Sequence, residues 1–420
     1  MRTVRLDERL YRTEGENGVT VVSEVLPSVR SVAVGIWVRA SSAHEEAPKM
    51  GVSHLLEHMV FKGTERRSAR DIALELEGRG GALDAFTARE YTAYQARVLD
   101  EDLPRALDVL TDLVRCPALR GDDLELERKV VLEEISTVDD TPDDLVFELH
   151  SRALWPSHPY GFSILGTRDT VGGLTAADLR NLHAQAYHPR HVVITATGNV
   201  NHDLLIKLVA KAGWFTDDPG PAPPDVPVPP AAERAFSRVA RDSAQTHIVL
   251  GTDTFPHADH RRDALLLLNT VLGGGMSSRL FQRVREELGL AYSVYTHQSF
   301  YRKTGVTGVY VGTHPSTAQE AMDAILAEFD TIARAGLPTS ELAEAKQQLK
   351  GQVTLSLESP TARMYRLATF ELYGEPYRTI DGVLTDIDTV TVEEVAGVAG
   401  EFFDPGRQTT VWLGPNEDRH

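Results

Sequence analysis

Residues 216–232, TDDPGPAPPDVPVPPAA, hold seven prolines and one glycine in seventeen positions. Proline has no amide proton to donate and fixes φ, so neither a helix nor a central strand runs through such a stretch. It reads as a semi-rigid extended spacer. The spacer divides a chain of 420 residues almost in half, and each half is long enough to bury a core of its own. The expected organisation is an N-terminal unit over 1–215, a linker over 216–232 and a C-terminal unit over 233–420.

The two halves resemble each other when one is shifted by 210 positions. SHLLEHMVFKGT then aligns with DALLLLNTVLGG, both apolar helical runs ending in glycine, and Gly63 falls on Gly273. The same shift sets GALDAFTARE on AYSVYTHQSF, each opening a long β-like stretch and each followed by a helical pattern. RSVAVGIWVRA and AQTHIVLGTDT supply an early strand to each half, and VVITATGN and TTVWLGPN close the halves as short strands. Hairpin stretches with several long helices in a row indicate an α+β class. The chain is therefore expected to be an internal duplication, two similar α+β halves joined as a clamshell.

One helix differs sharply between the halves. In GVSHLLEHMVFKGT, His54 and His58 stand at i and i+4, so both imidazoles leave one helix face a turn apart and can grip one cation. Glu57 shares that edge and can reach a water at the same cation. The shifted positions carry Ala264, Leu267 and Leu268, which shows what such a helix holds when no chemistry is asked of it. Three polar residues on a core-type helix are costly unless paired or ligating.

Two histidines leave a catalytic zinc one protein ligand short. The helical segment 121–140, GDDLELERKVVLEEISTVDD, offers Glu125, Glu127, Glu133 and Glu134. Around Glu134 the i−4, i−3 and i+4 neighbours are Val130, Val131 and Val138, an apolar stripe. Around Glu133 they are Lys129, Val130 and Thr137, so Glu134 is expected to face inward and Glu133 outward. Glu127 lies two turns before Glu134 on the same face and is read as a carboxylate that orients a ligand.

Lys plus Arg total 43 against 61 Asp plus Glu, a net charge of −18, which argues against nucleic acid or an anionic membrane as partner. The single cysteine, Cys116, cannot form an internal disulfide and fits a reducing compartment. The N-terminal sequence lacks a basic start followed by an apolar block, and no apolar run approaches membrane-spanning length. A cytoplasmic location is expected. His150 and His158 have no partner at metal spacing and are read as having a packing or loop role. LGGGMSSRL lacks the Lys-Ser/Thr of a phosphate loop and is read as a tight helix connection. His420 is expected to be disordered.

HLLEHMVFKGT, GGALDAFTAREYTAY, ELERKVVLEE, HPYGFSILGT and LGGGMSSRLFQRVREELGLAYSVY, in that order, resemble the pitrilysin, insulysin and mitochondrial processing peptidase family, and most of all its bacterial processing-peptidase-β-like members. These are inverzincins, whose HxxEH motif is catalytic. The resemblance implies a zinc endopeptidase with one Zn2+ per chain held by His54, His58 and a glutamate about 76 residues further on, which falls on Glu134. It makes Glu57 the general base and places Glu127 near the site. It also implies that Arg285 and Tyr292, seven apart in VREELGLAYSV, reach the metal site from the second half. Cutting the chain after the linker is then expected to keep the metal and abolish turnover.

In such a family GGALDAFT is an edge strand to which an extended peptide adds, so Gly81, Ala82, Asp84, Ala85 and Phe86 are expected to bind substrate. The usual residue at Asp84 is asparagine. An ionised carboxylate only accepts hydrogen bonds, and a preference for basic peptides is expected from the exchange. The implied substrate is a peptide or an unfolded polypeptide, cut by a homodimer. Two other readings use the same fold: a catalytically silent structural or assembly subunit, and an active subunit that requires a separate inactive partner.

Overall fold

The structure, a computed structural model, describes residues 1–415, so His420 lies outside the described residues. Seven strands form the first sheet: β1 (Arg2–Asp7), β2 (Leu10–Glu14), β3 (Thr20–Val25), β4 (Ser31–Val38), β5 (Ala82–Thr87), β6 (Thr92–Leu99) and β7 (Val192–Gly198). The second sheet holds β8 (Phe236–Ala240), β9 (Thr246–Thr254), β10 (Ala291–Phe300), β11 (Gly305–Thr313) and β12 (Thr409–Gly414). Helices of the first half of the chain are α1 (Val52–Val60), α2 (Ala69–Glu77), α3 (Leu103–Arg115), α4 (Gly121–Asp139), α5 (Pro142–Leu154), α6 (Arg168–Gly173), α7 (Ala176–Ala186) and α8 (His202–Lys211). Those of the second half are α9 (Arg262–Gly273), α10 (Ala318–Ala335), α11 (Thr339–Ser356), α12 (Pro360–Tyr373), α13 (Ile380–Thr389) and α14 (Val392–Phe402). Among the described residues no helix is long and apolar enough to cross a membrane.

Strand order and sense establish the duplication that sequence identity only hinted at. The first sheet runs β1-β2-β3-β7-β4-β6-β5 and the second, read from its other end, β8-β12-β9-β11-β10. In both the first pair of the common five (β3 with β7, β8 with β12) is parallel and the remaining three are antiparallel. The β1–β2 hairpin is an addition to the first sheet, and all six β1 residues are exposed.

The compact units do not coincide with the halves of the chain. One comprises Met1–Ile135, Phe162–Val226 and Ser356–Tyr377, and the other Ser136–Gly161, Pro227–Leu355 and Arg378–His420. Boundaries drawn at the proline-rich segment follow chain order; packing follows the sheets. Each sheet must cover two apolar faces. In the first unit Val32, Val34, Ile36 and Val38 of β4 join the main core with α1 and α3, while Ala33 and Trp37 meet Met364 and Ala368 of α12 on the opposite face. Ion pairs join α12 to that face, Arg363 to Glu24 and Arg12 to Glu371, the latter at 2.8 Å. In the second unit the corresponding cover is α5, whose Val146 is buried with Val249, Val411 and Leu413. Each half of the chain thus contributes a helix to the other half's sheet.

Helix α1 starts under tight control. Gly51 sits at φ 91°, a left-handed conformation for which glycine is suited, and a Cβ there would lie 2.6 Å from the Leu165 carbonyl oxygen. The buried carboxylate of Glu45 accepts the N–H groups of Gly51 and Ser53, each at 2.8 Å. Two amides that a helix start leaves without partners are thereby satisfied.

Candidate metal centre

The i, i+4 spacing on α1 brings the rings of His54 and His58 to 4.6 Å between centroids. Glu134 reaches them from α4: its Oε2 lies 3.7 Å from His54 Nε2 and 3.7 Å from His58 Nε2. One ligand atom from each of the three lies within 4.8 Å of the others. Glu134 Oε2 is buried and, among the described residues, accepts no hydrogen bond. A buried carboxylate oxygen facing two imidazole nitrogens with nothing donated to it is an arrangement that a cation completes. Two imidazole nitrogens and one carboxylate oxygen are also the ligand set of a zinc-peptidase centre with a position left open. The residues fit the metal.

The two histidines are held differently. His58 Nδ1 lies 3.1 Å from Glu127 Oε2, while the other oxygen of Glu127 is paired with the Lys62 ammonium. A carboxylate at Nδ1 fixes the tautomer in which Nδ1 carries the proton and Nε2 is left for a cation. His54 Nδ1 is buried without a partner. Burial, followed by the neighbouring His58, pushes His54 down to about 3, so at neutral pH it is the uncharged imidazole that ligation requires.

Glu57 projects from the same turn. Its Oε2 accepts from Thr87 Oγ1 of β5 at 2.8 Å. Burial is the largest influence on this carboxyl and raises its pKa above the usual carboxylate range, while the Thr87 bond opposes the rise. A carboxyl shifted upward in this way holds a proton more readily than an ordinary glutamate, which suits it to proton exchange.

β5 is the free edge of its sheet. Leu83 and Ala85 pack toward the α1 core, and Thr87 continues that alternation onto Glu57. Asp84 and Phe86 therefore face the other way. Asp84 Oδ2 accepts from Gln95 Nε2 at 3.2 Å, Gln95 also donates to the Tyr365 hydroxyl at 2.7 Å, and Phe86 stacks on the Tyr365 ring at 5.8 Å. Gly81 precedes the strand, and a Cβ on it would lie 2.9 Å from Val98 Cγ1. The Asp84 carboxylate is thus bound into the face covered by α12, on the side of the sheet opposite Glu57.

On α4 the buried line is Leu124, Glu127, Val131 and Ile135. Glu134 flanks that line half-buried and Glu133 is exposed. The apolar stripe invoked for Glu134 is only partly real, because Val130 is 48% exposed. Arg285 and Tyr292 belong to the second unit. There Arg285 lies over two rings, Phe281 and Tyr292, at 4.6 Å from each centroid, and Tyr292 is 75% exposed. Phe281–Glu287 is a π-helical turn, a form enriched at functional sites. His150 and His158 are packing residues: their Nε2 atoms meet the carbonyls of Thr409 and Pro227. Thr87 and Lys62 were not singled out in the sequence. Strand alternation from Ala85 and the i+4 step from His58 would have found them.

These features define a candidate metal centre of two histidines and one glutamate, with a second carboxylate beside it, on a duplicated α+β fold. The profile described as insulinase (peptidase family M16) matches residues 20–168, and that described as the peptidase M16 inactive domain matches 173–349. Together they cover most of the chain, which belongs to the M16 peptidase family. A Streptomyces coelicolor protein named as an uncharacterised zinc protease is 40% identical over 97% of this chain and 90% of its own length. A Bacillus subtilis protein of similar name is 40% identical over 92% and 94%. Among solved structures, a protease from Helicobacter pylori superposes with a TM-score of 0.89 at 23% identity, over 97% of this chain and 99% of its own. One from Pseudomonas fluorescens, described as a peptidase M16 inactive domain, gives 0.90 at 22%, over 97% and 98%.

Proposed function

We propose that the chain is a zinc-dependent endopeptidase that cleaves peptides or unfolded segments, acting in the cytoplasm as a homodimer with one Zn2+ per chain. The observation that carries this reading is the convergence of His54 Nε2, His58 Nε2 and the unpartnered Glu134 Oε2 beside Glu57. Zinc held there supplies Lewis acidity, which polarises a peptide carbonyl and makes water a nucleophile near neutral pH. Glu57 takes the proton released as water attacks the carbonyl and delivers it to the leaving amine nitrogen. That delivery is needed because the tetrahedral adduct expels an amine only once its nitrogen is protonated. Thr87 holds Glu57 through Oε2, leaving Oε1 to carry the proton.

The free edge of β5 offers backbone N–H and C=O groups to an extended peptide. Pairing through the main chain tolerates many sequences, which supports broad specificity. Arg285 and Tyr292 complete the reading as the groups proposed to hold a peptide carbonyl and the developing oxyanion. The test is to purify the chain alone, measure bound zinc and assay a peptide library with and without a chelator. Stoichiometric zinc and chelator-sensitive cleavage are expected. Zinc without cleavage would favour a silent structural subunit, or a subunit that needs an inactive partner.

A further inference from the structure

We infer that Lys62 is a positioning residue for the metal centre, acting on His58 through Glu127. The inference rests on the zinc reading above and extends it to a side chain outside the three candidate ligands. Lys62 lies just past the end of α1, four residues after His58, so both side chains project from one face of the same helix end. They hold the two oxygens of one carboxylate: His58 Nδ1 meets Glu127 Oε2 and the Lys62 ammonium meets Glu127 Oε1. Among the described residues Lys62 is the one cationic side chain other than His58 paired with Glu127.

The physical need for the lysine follows from burial. The Glu127 side chain is 6% exposed and that of Lys62 34%. A buried carboxylate with one neutral donor is poorly compensated and free to turn toward water or another donor. The ammonium fixes the carboxylate plane from the opposite side, so that Oε2 stays on His58 Nδ1 and the His58 Nε2 stays aimed at Glu134. His54 has no corresponding partner at Nδ1. Of the two histidines it is His58 that is oriented through Nδ1, by a single carboxylate, and that carboxylate is held from its other oxygen by Lys62.

The experiment uses the full chain as native protein, Lys62→Met, Lys62→Arg, Glu127→Gln and the double variant Lys62→Met/Glu127→Gln. Zinc affinity is read by competition with a chromophoric chelator, and ligand geometry by the visible absorption of the cobalt(II) form. Lys62→Met is expected to weaken zinc about tenfold or more, the range typical of partners that orient a metal-bound histidine, and to shift the cobalt bands. Lys62→Arg, which keeps charge and reach, is expected to restore affinity to within about threefold of native.

The double variant is expected to bind zinc as Glu127→Gln does alone, because a neutral amide gives the lysine nothing to hold. Affinity of Lys62→Met within about twofold of native with an unchanged cobalt spectrum overturns the inference. So does a double variant whose loss is the product of the two single losses. If Lys62→Met lowers the thermal midpoint of the metal-free protein, Glu127→Gln against the double variant still decides, since the charged partner is absent from both. A native chain that binds no zinc defeats the metal reading itself; native binding with an insensitive Lys62→Met defeats only the role of the lysine.

Discussion

Helices α1 and α9 hold equivalent places in two sheets of the same strand order, each between the strand pairs β4/β5 and β9/β10, yet they bury opposite kinds of residue. α9 packs Ala264, Leu267 and Leu268 at 2%, 0% and 0% exposure, whereas α1 buries His54 at 7% and Glu57 at 8%. The scaffold accepts both versions. What permits the polar version is local: Thr87 on Glu57, Glu127 on His58, and a cation site where Glu134 meets the two rings. The polar cluster on α1 is therefore an addition to a fold that stands without it, and the second unit shows the fold in that plainer form.

What the two units share can be tested more severely than what separates them. Each sheet is covered on one face by a helix from the other half of the chain, so a fragment of residues 1–232 loses α12 and bares Trp37, Ala33, Ala93 and Val193. Retention of metal by such a fragment was the expectation from sequence; the packing reverses it. The fragment is expected to lose its cooperative thermal transition and to bind a dye for exposed apolar surface. A sharp transition in the fragment, by calorimetry, would show that α12 is dispensable to the first sheet.

Next in size is the effect on chemistry. Glu57→Gln is expected to lower peptide cleavage about a thousandfold, within the range for a lost general acid–base, at unchanged zinc content measured by atomic absorption. Full activity at equal zinc would remove Glu57 from the mechanism. The reciprocal change in the other unit, Leu267→Glu, places a carboxylate on α9 where nothing is arranged to receive it. It is expected to cost ~3 kcal/mol or more, read as a lowered urea midpoint. A cost near zero would mean that α9 already tolerates a buried acid, and the contrast with α1 would lose its meaning.

Much of this was legible in the sequence because it is local. The i, i+4 histidines and the proline-rich divide are patterns within a few residues, and periodicity and composition resolve them. Glu134 follows from a face argument one of whose supports, Val130, stands in solvent; the structure brings Glu134 Oε2 to 3.7 Å from each imidazole Nε2. The exchange of α5 and α12 was not legible, since an amphipathic helix declares that it has an apolar face and not which sheet will cover it. The same limit hid the direction of Asp84. The resemblance makes Asp84 a substrate contact and its departure from asparagine suggests a preference for basic peptides, while the register fixed by Leu83, Ala85 and Thr87 turns it toward Gln95 and the α12 face.

The smallest effect concerns histidines outside the candidate metal centre. In the second unit His150 and His297 lie 6.2 Å apart between ring centroids, with Phe147 against His297. Burial pushes His297 down to about 4, and burial with the neighbouring His297 pushes His150 down to about 3. In the unfolded chain both titrate near 6.5. Below that pH the unfolded state binds protons that the folded state refuses, so stability falls as pH drops from about 6.5 toward 4 and is unaffected by these groups above 7. Each histidine contributes a slope of at most ~1.4 kcal/mol per pH unit. His297→Gln removes one of the two, and the unfolding free energy of that variant, measured in urea between pH 4 and 7, should fall less steeply than that of the native chain. An equal slope would mean that His297 takes up its proton in the folded state as readily as in the unfolded one, against the burial that surrounds it.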